Sequence, residues 1–166
     1  MKRILDLLLV LLFTFIFALP ILVVAIAVRL TSFGPALYWS SRVGKDGKLF
    51  WMPKFRTMKV GTPAIATHLL NSSDRYLTPV GSFLRESSLD ELPQLWNVLT
   101  GDISLIGPRP ELPSGVAIYD KEIPYYNIRH LIKPGLSGWA QINQQKVPHH
   151  GVGVEETKIK LSYDLF

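Results

Sequence analysis

An uncharged apolar run from Leu7 to Val28, 22 residues of mostly Leu, Ile, Val, Phe and Ala, dominates the hydrophobic pattern of the chain. As a straight helix it would reach about 33 Å, close to one hydrocarbon thickness. Beyond it, apolar positions come in shorter stretches broken by Pro and Gly, the texture of a globular domain. Residues 36 to 42 and 48 to 52 are rich in aromatic and aliphatic side chains and flank Gly44-Lys45-Asp46-Gly47. Asp-Gly between apolar runs predicts a hairpin. Residues 61 to 75 predict a surface loop. A helix is predicted from about Ser88 to Thr100, closed by Gly101. Gly107 to Pro113 carries three prolines and excludes regular structure. Another helix is predicted over about 114 to 130, and Pro134-Gly135-Leu136-Ser137-Gly138 predicts a turn cluster. Val154, Leu161 and Leu165 recur at roughly helical spacing, with Glu156 and Lys160 placed to pair on one face.

The long apolar run admits three readings. A cleaved signal peptide fits poorly, because the run exceeds the usual apolar core of such peptides. A spanning helix is the default, but Pro20 removes a backbone donor and kinks or breaks it. A re-entrant helix, bent at Pro20 with both ends on the cytoplasmic face, suits the charges better. Lys2 and Arg3 precede the run, and Arg29, Arg42, Lys45, Lys48, Lys54, Arg56 and Lys59 follow it against Asp46 alone. Basic flanks prefer the cytoplasm. Backbone groups freed near Pro20 would need partners inside the membrane, and Thr14 is the one Ser or Thr in the run. The residues alone leave spanning and re-entrant open. Asp6 lies four residues after Lys2 and three after Arg3, which predicts an interfacial ion pair.

Composition narrows the chemistry. With 166 residues the chain holds one domain. Without cysteine it has neither disulfides nor thiolate metal sites. A formal net charge of +5 suits nucleic acid, anionic lipid or phosphorylated substrates alike.

Ser87-Ser88-Leu89-Asp90-Glu91-Leu92-Pro93 carries the candidate chemistry. Ser88-x-x-Glu91 has the form of a capping box. The alternative is a catalytic pair. Pro93 belongs in a first helical turn, which puts Asp90 and Glu91 at a helix N-terminus, where carboxylates stay ionised and phosphates are favoured. Adjacent residues point about 100° apart on a helix, so one carboxylate would attack while the other holds a metal. Arg109, stiffened between Pro108 and Pro110, is a candidate phosphate fork or an ordinary surface arginine. Arg85, Arg56 and Lys54 are further candidate phosphate ligands. His149-His150 lacks additional ligands at metal spacing and is taken as a polar loop. Trp96 and Trp139 are either core or interfacial anchors.

Four blocks in this order resemble the bacterial sugar transferase family, the monotopic polyprenyl phosphate phosphoglycosyl transferases. They are Lys2-Arg3-Ile4-Leu5-Asp6 before the apolar run, Lys54-Phe55-Arg56-Thr57-Met58, the stretch from Leu84 through Ser88-Leu89-Asp90-Glu91-Leu92-Pro93 to Gly107-Pro108-Arg109-Pro110, and Pro134-Gly135-Leu136-Ser137-Gly138-Trp139-Ala140-Gln141. The resemblance implies transfer of a phosphosugar from a nucleotide sugar to polyprenol (undecaprenyl) phosphate, initiating surface glycan assembly. It implies a covalent phosphosugar on Asp90, Mg2+ at Glu91 and phosphate contact at Arg109. It favours the re-entrant helix bent at Pro20, a location at the bacterial inner membrane with the catalytic domain facing the cytoplasm, and a homodimer as one assembly. The chain departs from the family at Leu19, often serine, at Ser40, commonly glutamine, and in stopping at Phe166, where relatives continue with helical sequence.

The fold expectation is therefore α+β and mostly helical, with a re-entrant membrane helix over residues 1–30 and a catalytic domain with a short β-hairpin over 31–166, the two forming one structural unit. Two rivals remain. One is a catalytically weakened membrane-anchored scaffold of the same family. The other is a tethered nucleic-acid-binding domain, which lacks any recognition motif and whose charge is explained by lipid and phosphate, so no nucleic acid partner is expected.

Overall fold

The computed structural model describes residues 1–62, 73–143 and 153–164. Most of the loop predicted over 61 to 75, and His149-His150, lie outside the described residues.

A single 30-residue helix, α1 (Lys2–Thr31), forms the N-terminal region and runs unbroken through Pro20. The expected helix-break-helix is therefore one helix here, a proline costing it one backbone hydrogen bond without parting it. Thr14 does not serve the proline's turn; its hydroxyl donates to the Val10 carbonyl at 2.7 Å. Length and composition suffice for α1 to cross a membrane. Its burial, however, is patterned. Arg3, Asp6, Val10, Phe13, Phe17, Ile21, Val24 and Val28 are buried or half-buried, a stripe spaced by threes and fours. Leu8, Leu12, Phe15, Ile16, Leu19, Leu22 and Ile26 are exposed.

That stripe seats both halves of α1 on one body. Val10 packs with Leu95, Val98 and Ile103. Val24 and Val28 pack with Phe55 and Leu84. Polar clamps hold both ends. At the N-terminal end, Arg3 donates to the carbonyls of Val98 and Leu99, Lys2 to that of Ile106, and Asp6 accepts from the Ser104 hydroxyl at 2.7 Å. At the C-terminal end, Arg56 donates to the Ser32 carbonyl and hydroxyl at 2.8 and 2.7 Å. The ion pair expected among Lys2, Arg3 and Asp6 is thus replaced by contacts to the body. Helix-end carbonyls are orphan acceptors, and a guanidinium satisfies them while complementing the dipole.

The expected hairpin forms from β1 (Leu37–Val43) and β2 (Leu49–Phe55), paired antiparallel with Tyr38 opposite Lys54. Its turn holds Asp46 at φ 55° and Gly47 at φ 72°, the left-handed geometry these two residues tolerate best. Next comes α2 (Gly81–Glu86). The helix expected from Ser88 to Thr100 is a 3-10 segment over Leu89–Gln94 leading into α3 (Leu95–Thr100), closed by Gly101 at φ 93°. Ser88 itself sits at φ 57° and makes no side-chain cap, so the capping box does not form.

Two further expectations are corrected. The helix drawn over 114 to 130 is α4 (Pro113–Glu122) followed by a 3-10 segment over Tyr126–Leu131. Pro124 disfavours helical geometry at Ile123, which lies extended. The turn cluster at 134 to 138 contains β4 (Gly135–Ser137), which pairs in parallel with β3 (Ser104–Ile106). The backbones approach closely there: a Cβ on Gly135 would lie 2.1 Å from the Gly107 nitrogen. The short α5 (Trp139–Asn143) follows, and α6 (Val154–Asp164) meets the expected C-terminal helix. On α6, Lys158 pairs with Glu155. Trp96 and Trp139 are each 58% exposed, which removes the core reading for both.

Candidate functional site

A cavity of about 780 Å³ opens between the hairpin, the 3-10 segment at residues 89–94, the proline loop and α6. Asp90, Glu91, Lys54, Arg85, Arg56 and Arg109 all line it, although they come from four separate stretches of the sequence. Lys54 is the penultimate residue of β2, so the hairpin register fixes its position. The left-handed turn at Ser88 swings the chain out of α2 and delivers Asp90 and Glu91 into the cavity wall. Three backbone bonds hold the Arg109 loop: Gly107 N–H to Ser137, Gly135 N–H to Pro108 and Val43 N–H to Glu111, at 2.9, 2.9 and 3.0 Å.

Glu91 is the electrostatic centre. Its Oε1 accepts from Lys54 Nζ and from Arg109 Nη2, each at 2.6 Å, while Arg109 Nη1 lies 3.5 Å from Oε2. Burial would push this carboxyl up, but Arg109 and Lys54 outweigh it and hold Glu91 at about 2. Burial lowers Lys54, with Glu91 opposing. Asp90 behaves oppositely to its neighbour. It is buried, and desolvation, joined by the Glu91 charge, raises its pKa against the pull of Lys54 and Arg85. The α-helix proper begins only at Leu95, five residues on from Asp90. Asp90 thus lies in the 3-10 segment, not at the α-helix N-terminus expected from the sequence, and burial is the largest influence on its pKa.

Arg85 reaches the same wall, with Nε donating to the Thr57 hydroxyl at 3.0 Å. Arg56 lines the cavity but directs its guanidinium to Ser32 at the end of α1. Several lining residues carried no sequence signal. Arg42 comes from β1, donating to the Pro110 carbonyl at 3.3 Å, and Glu111, Tyr119, Glu156 and Lys160 also line the cavity. Only the basic character of residues 29 to 61 pointed toward Arg42.

Two adjacent carboxylates, Asp90 and Glu91, are the side chains here that could serve a divalent metal. Among the described residues no group of three or more His, Cys, Asp or Glu is placed to hold a metal. That donor set fits Mg2+, which takes one or two carboxylates and completes its shell with water and substrate phosphate oxygens. The chemistry the site can support is then defined: a buried carboxylate able to attack phosphorus, beside a second carboxylate and three cations able to hold a polyanion.

The bacterial sugar transferase family profile matches residues 1–166. A UDP-N-acetylgalactosamine-undecaprenyl-phosphate N-acetylgalactosaminephosphotransferase of Aeromonas hydrophila is 38% identical over 99% of this chain and 38% of its own length. UDP-glucose:undecaprenyl-phosphate glucose-1-phosphate transferases of Escherichia coli and Caulobacter vibrioides are each 43% identical, over 86% and 85% of this chain and 31% and 53% of their own lengths. The chain thus spans about a third to a half of these relatives.

Proposed function

Because the chain belongs to the bacterial sugar transferase family, we propose that it moves a phosphosugar from a nucleotide diphosphosugar to polyprenol phosphate. The observation that carries this reading is the single cavity joining Asp90 and Glu91 to Lys54, Arg85 and Arg109. Its volume suits a nucleotide sugar, and its cations suit a diphosphate. The relatives act on UDP-sugars and undecaprenyl phosphate by their names, and the same two substrates are assigned to this chain.

In the proposed reaction an Asp90 carboxylate oxygen attacks the sugar-proximal phosphorus. The bond from that phosphorus to the bridging oxygen breaks, and nucleoside monophosphate leaves with the electron pair. A phosphate oxygen of the polyprenol carrier then attacks the same phosphorus and releases Asp90. Lys54, Arg85 and Arg109 hold the diphosphate, and Arg56 keeps the exit of α1 in place. Mg2+ at Glu91, with Asp90 beside it, would neutralise diphosphate charge. The test is a panel of nucleotide sugars assayed for nucleoside monophosphate release, with polyprenol phosphate and Mg2+ present. Release with at least one sugar is expected; a chain that binds these donors but releases none would be a scaffold.

We further propose that both ends of α1 lie at one face of the bilayer, the cytoplasmic face of the bacterial inner membrane. Support comes from the attachment of both its ends to one body: a spanning α1 would carry Lys2 and Arg3 about 30 Å away from the carbonyls they bind. The exposed apolar side of α1 is left for lipid. Lys2→Cys and Lys45→Cys, in a chain without cysteine, are expected to react with a membrane-impermeant maleimide from the same side of oriented vesicles. Labelling from opposite sides would discard the one-face arrangement.

A further inference from the structure

Arg129 is buried and lies outside the cavity, yet its guanidinium joins three parts of the molecule. Nη1 donates to the Tyr126 hydroxyl at 2.6 Å, and Nη2 donates both to the Arg109 carbonyl at 3.0 Å and to Asp164 Oδ2 at 2.8 Å. Asp164 is the last residue of α6, and both side chains of this pair are nearly inaccessible. The Tyr126 ring also lies under the guanidinium, 5.2 Å from Cζ to the ring centre. Tyr126 in turn packs with Ile123 and with Leu161 of α6. A buried ion pair adds little net stability against a packed apolar substitute. Its distinctive property here is direction: one fork binds the backbone of the residue whose side chain grips Glu91, and also the helix that carries Lys160 to the cavity.

We infer that Arg129 is a positioning residue, which holds the Arg109 loop and α6 at the separation the cavity requires. The inference rests on the reading of Arg109 as a phosphate ligand. Arg129→Lys keeps the charge beside Asp164 but loses the planar fork, so the buried carboxylate retains a partner. Two measurements test it on the full chain in lipid nanodiscs. In the first, kcat/KM for monophosphate release is determined in a double-mutant cycle with Arg109→Ala. Arg129→Lys is expected to lower kcat/KM about ten- to a hundredfold, the effect of a small misplacement, and to cause a clearly smaller loss once Arg109 is alanine. An equal loss in both backgrounds, or no loss at all, overturns the inference. In the second, hydrogen exchange is followed without substrate. Faster exchange at residues 107–111 and 154–164, with α1 and α3 unchanged, is expected; unchanged exchange at 107–111 overturns the inference. If the wild-type chain transfers no phosphosugar, the proposed function fails, and the exchange measurement alone decides the role of Arg129.

Discussion

Asp90→Asn is expected to abolish both turnover and the covalent intermediate. Wild-type protein given nucleotide sugar and Mg2+, without polyprenol acceptor, should gain the mass of one phosphosugar on the peptide containing Asp90. The asparagine variant should gain none, and its turnover should fall by at least about a thousandfold, as for other lost nucleophiles. The expectation follows from placement. Asp90 is buried in the cavity wall that Lys54 and Arg85 also line, while Glu91 is committed to two cations at 2.6 Å. Among the described residues Asp90, unlike Glu91, makes no side-chain ion pair, and desolvation favours its attack. Asparagine keeps the shape of the side chain while replacing one carboxylate oxygen by an amide nitrogen and removing the charge. An adduct that persists in Asp90→Asn, or maps to Glu91, would reassign the nucleophile while leaving the reaction class intact.

The contrast between these two neighbours shows what the sequence made legible and what it hid. The pair itself was conspicuous, because Pro93 and the serines around it mark a turn into a helix. Its electrostatics were not: Lys54 lies 37 residues before Glu91 and Arg109 lies 18 after it, separations that no local pattern encodes. The hairpin was legible because Asp46-Gly47 has a left-handed preference of its own. The β3–β4 pair was hidden because each strand is three residues long and Gly135 signals a turn as strongly as it signals close backbone approach. On α1 the difficulty was different. A helix apolar all round gives no periodicity, so the stripe from Arg3 to Val28 that meets the body was invisible. The basic flanks carried that information instead, and Arg3 and Arg56 are the residues that realise it at the two ends.

Arg109→Ala is expected to lower kcat/KM for nucleotide sugar by about a hundred- to a thousandfold, the usual effect of removing a donor aimed at developing charge. Arg109→Lys should recover only part of this. The guanidinium meets Glu91 with two nitrogens, at 2.6 Å to Oε1 and 3.5 Å to Oε2, and a planar fork of that kind matches two phosphate oxygens as it matches two carboxylate oxygens. A lysine supplies one charge without the fork. The loop argues for the same specificity, since backbone bonds at Gly107, Pro108 and Glu111 leave Arg109 little freedom to compensate for a shorter reach. Glu91 provides an internal check. In Arg109→Ala it keeps only Lys54 as a cation, so its pKa should rise from about 2 toward the ordinary carboxylate range. Protonation of Glu91 would then intrude at higher pH, and the acid limb of the Arg109→Ala rate profile should shift upward relative to wild type. Full wild-type kinetics in Arg109→Lys would show that charge alone suffices at this position. An unchanged acid limb in Arg109→Ala would show that the Glu91–Arg109 pair does not govern the working site.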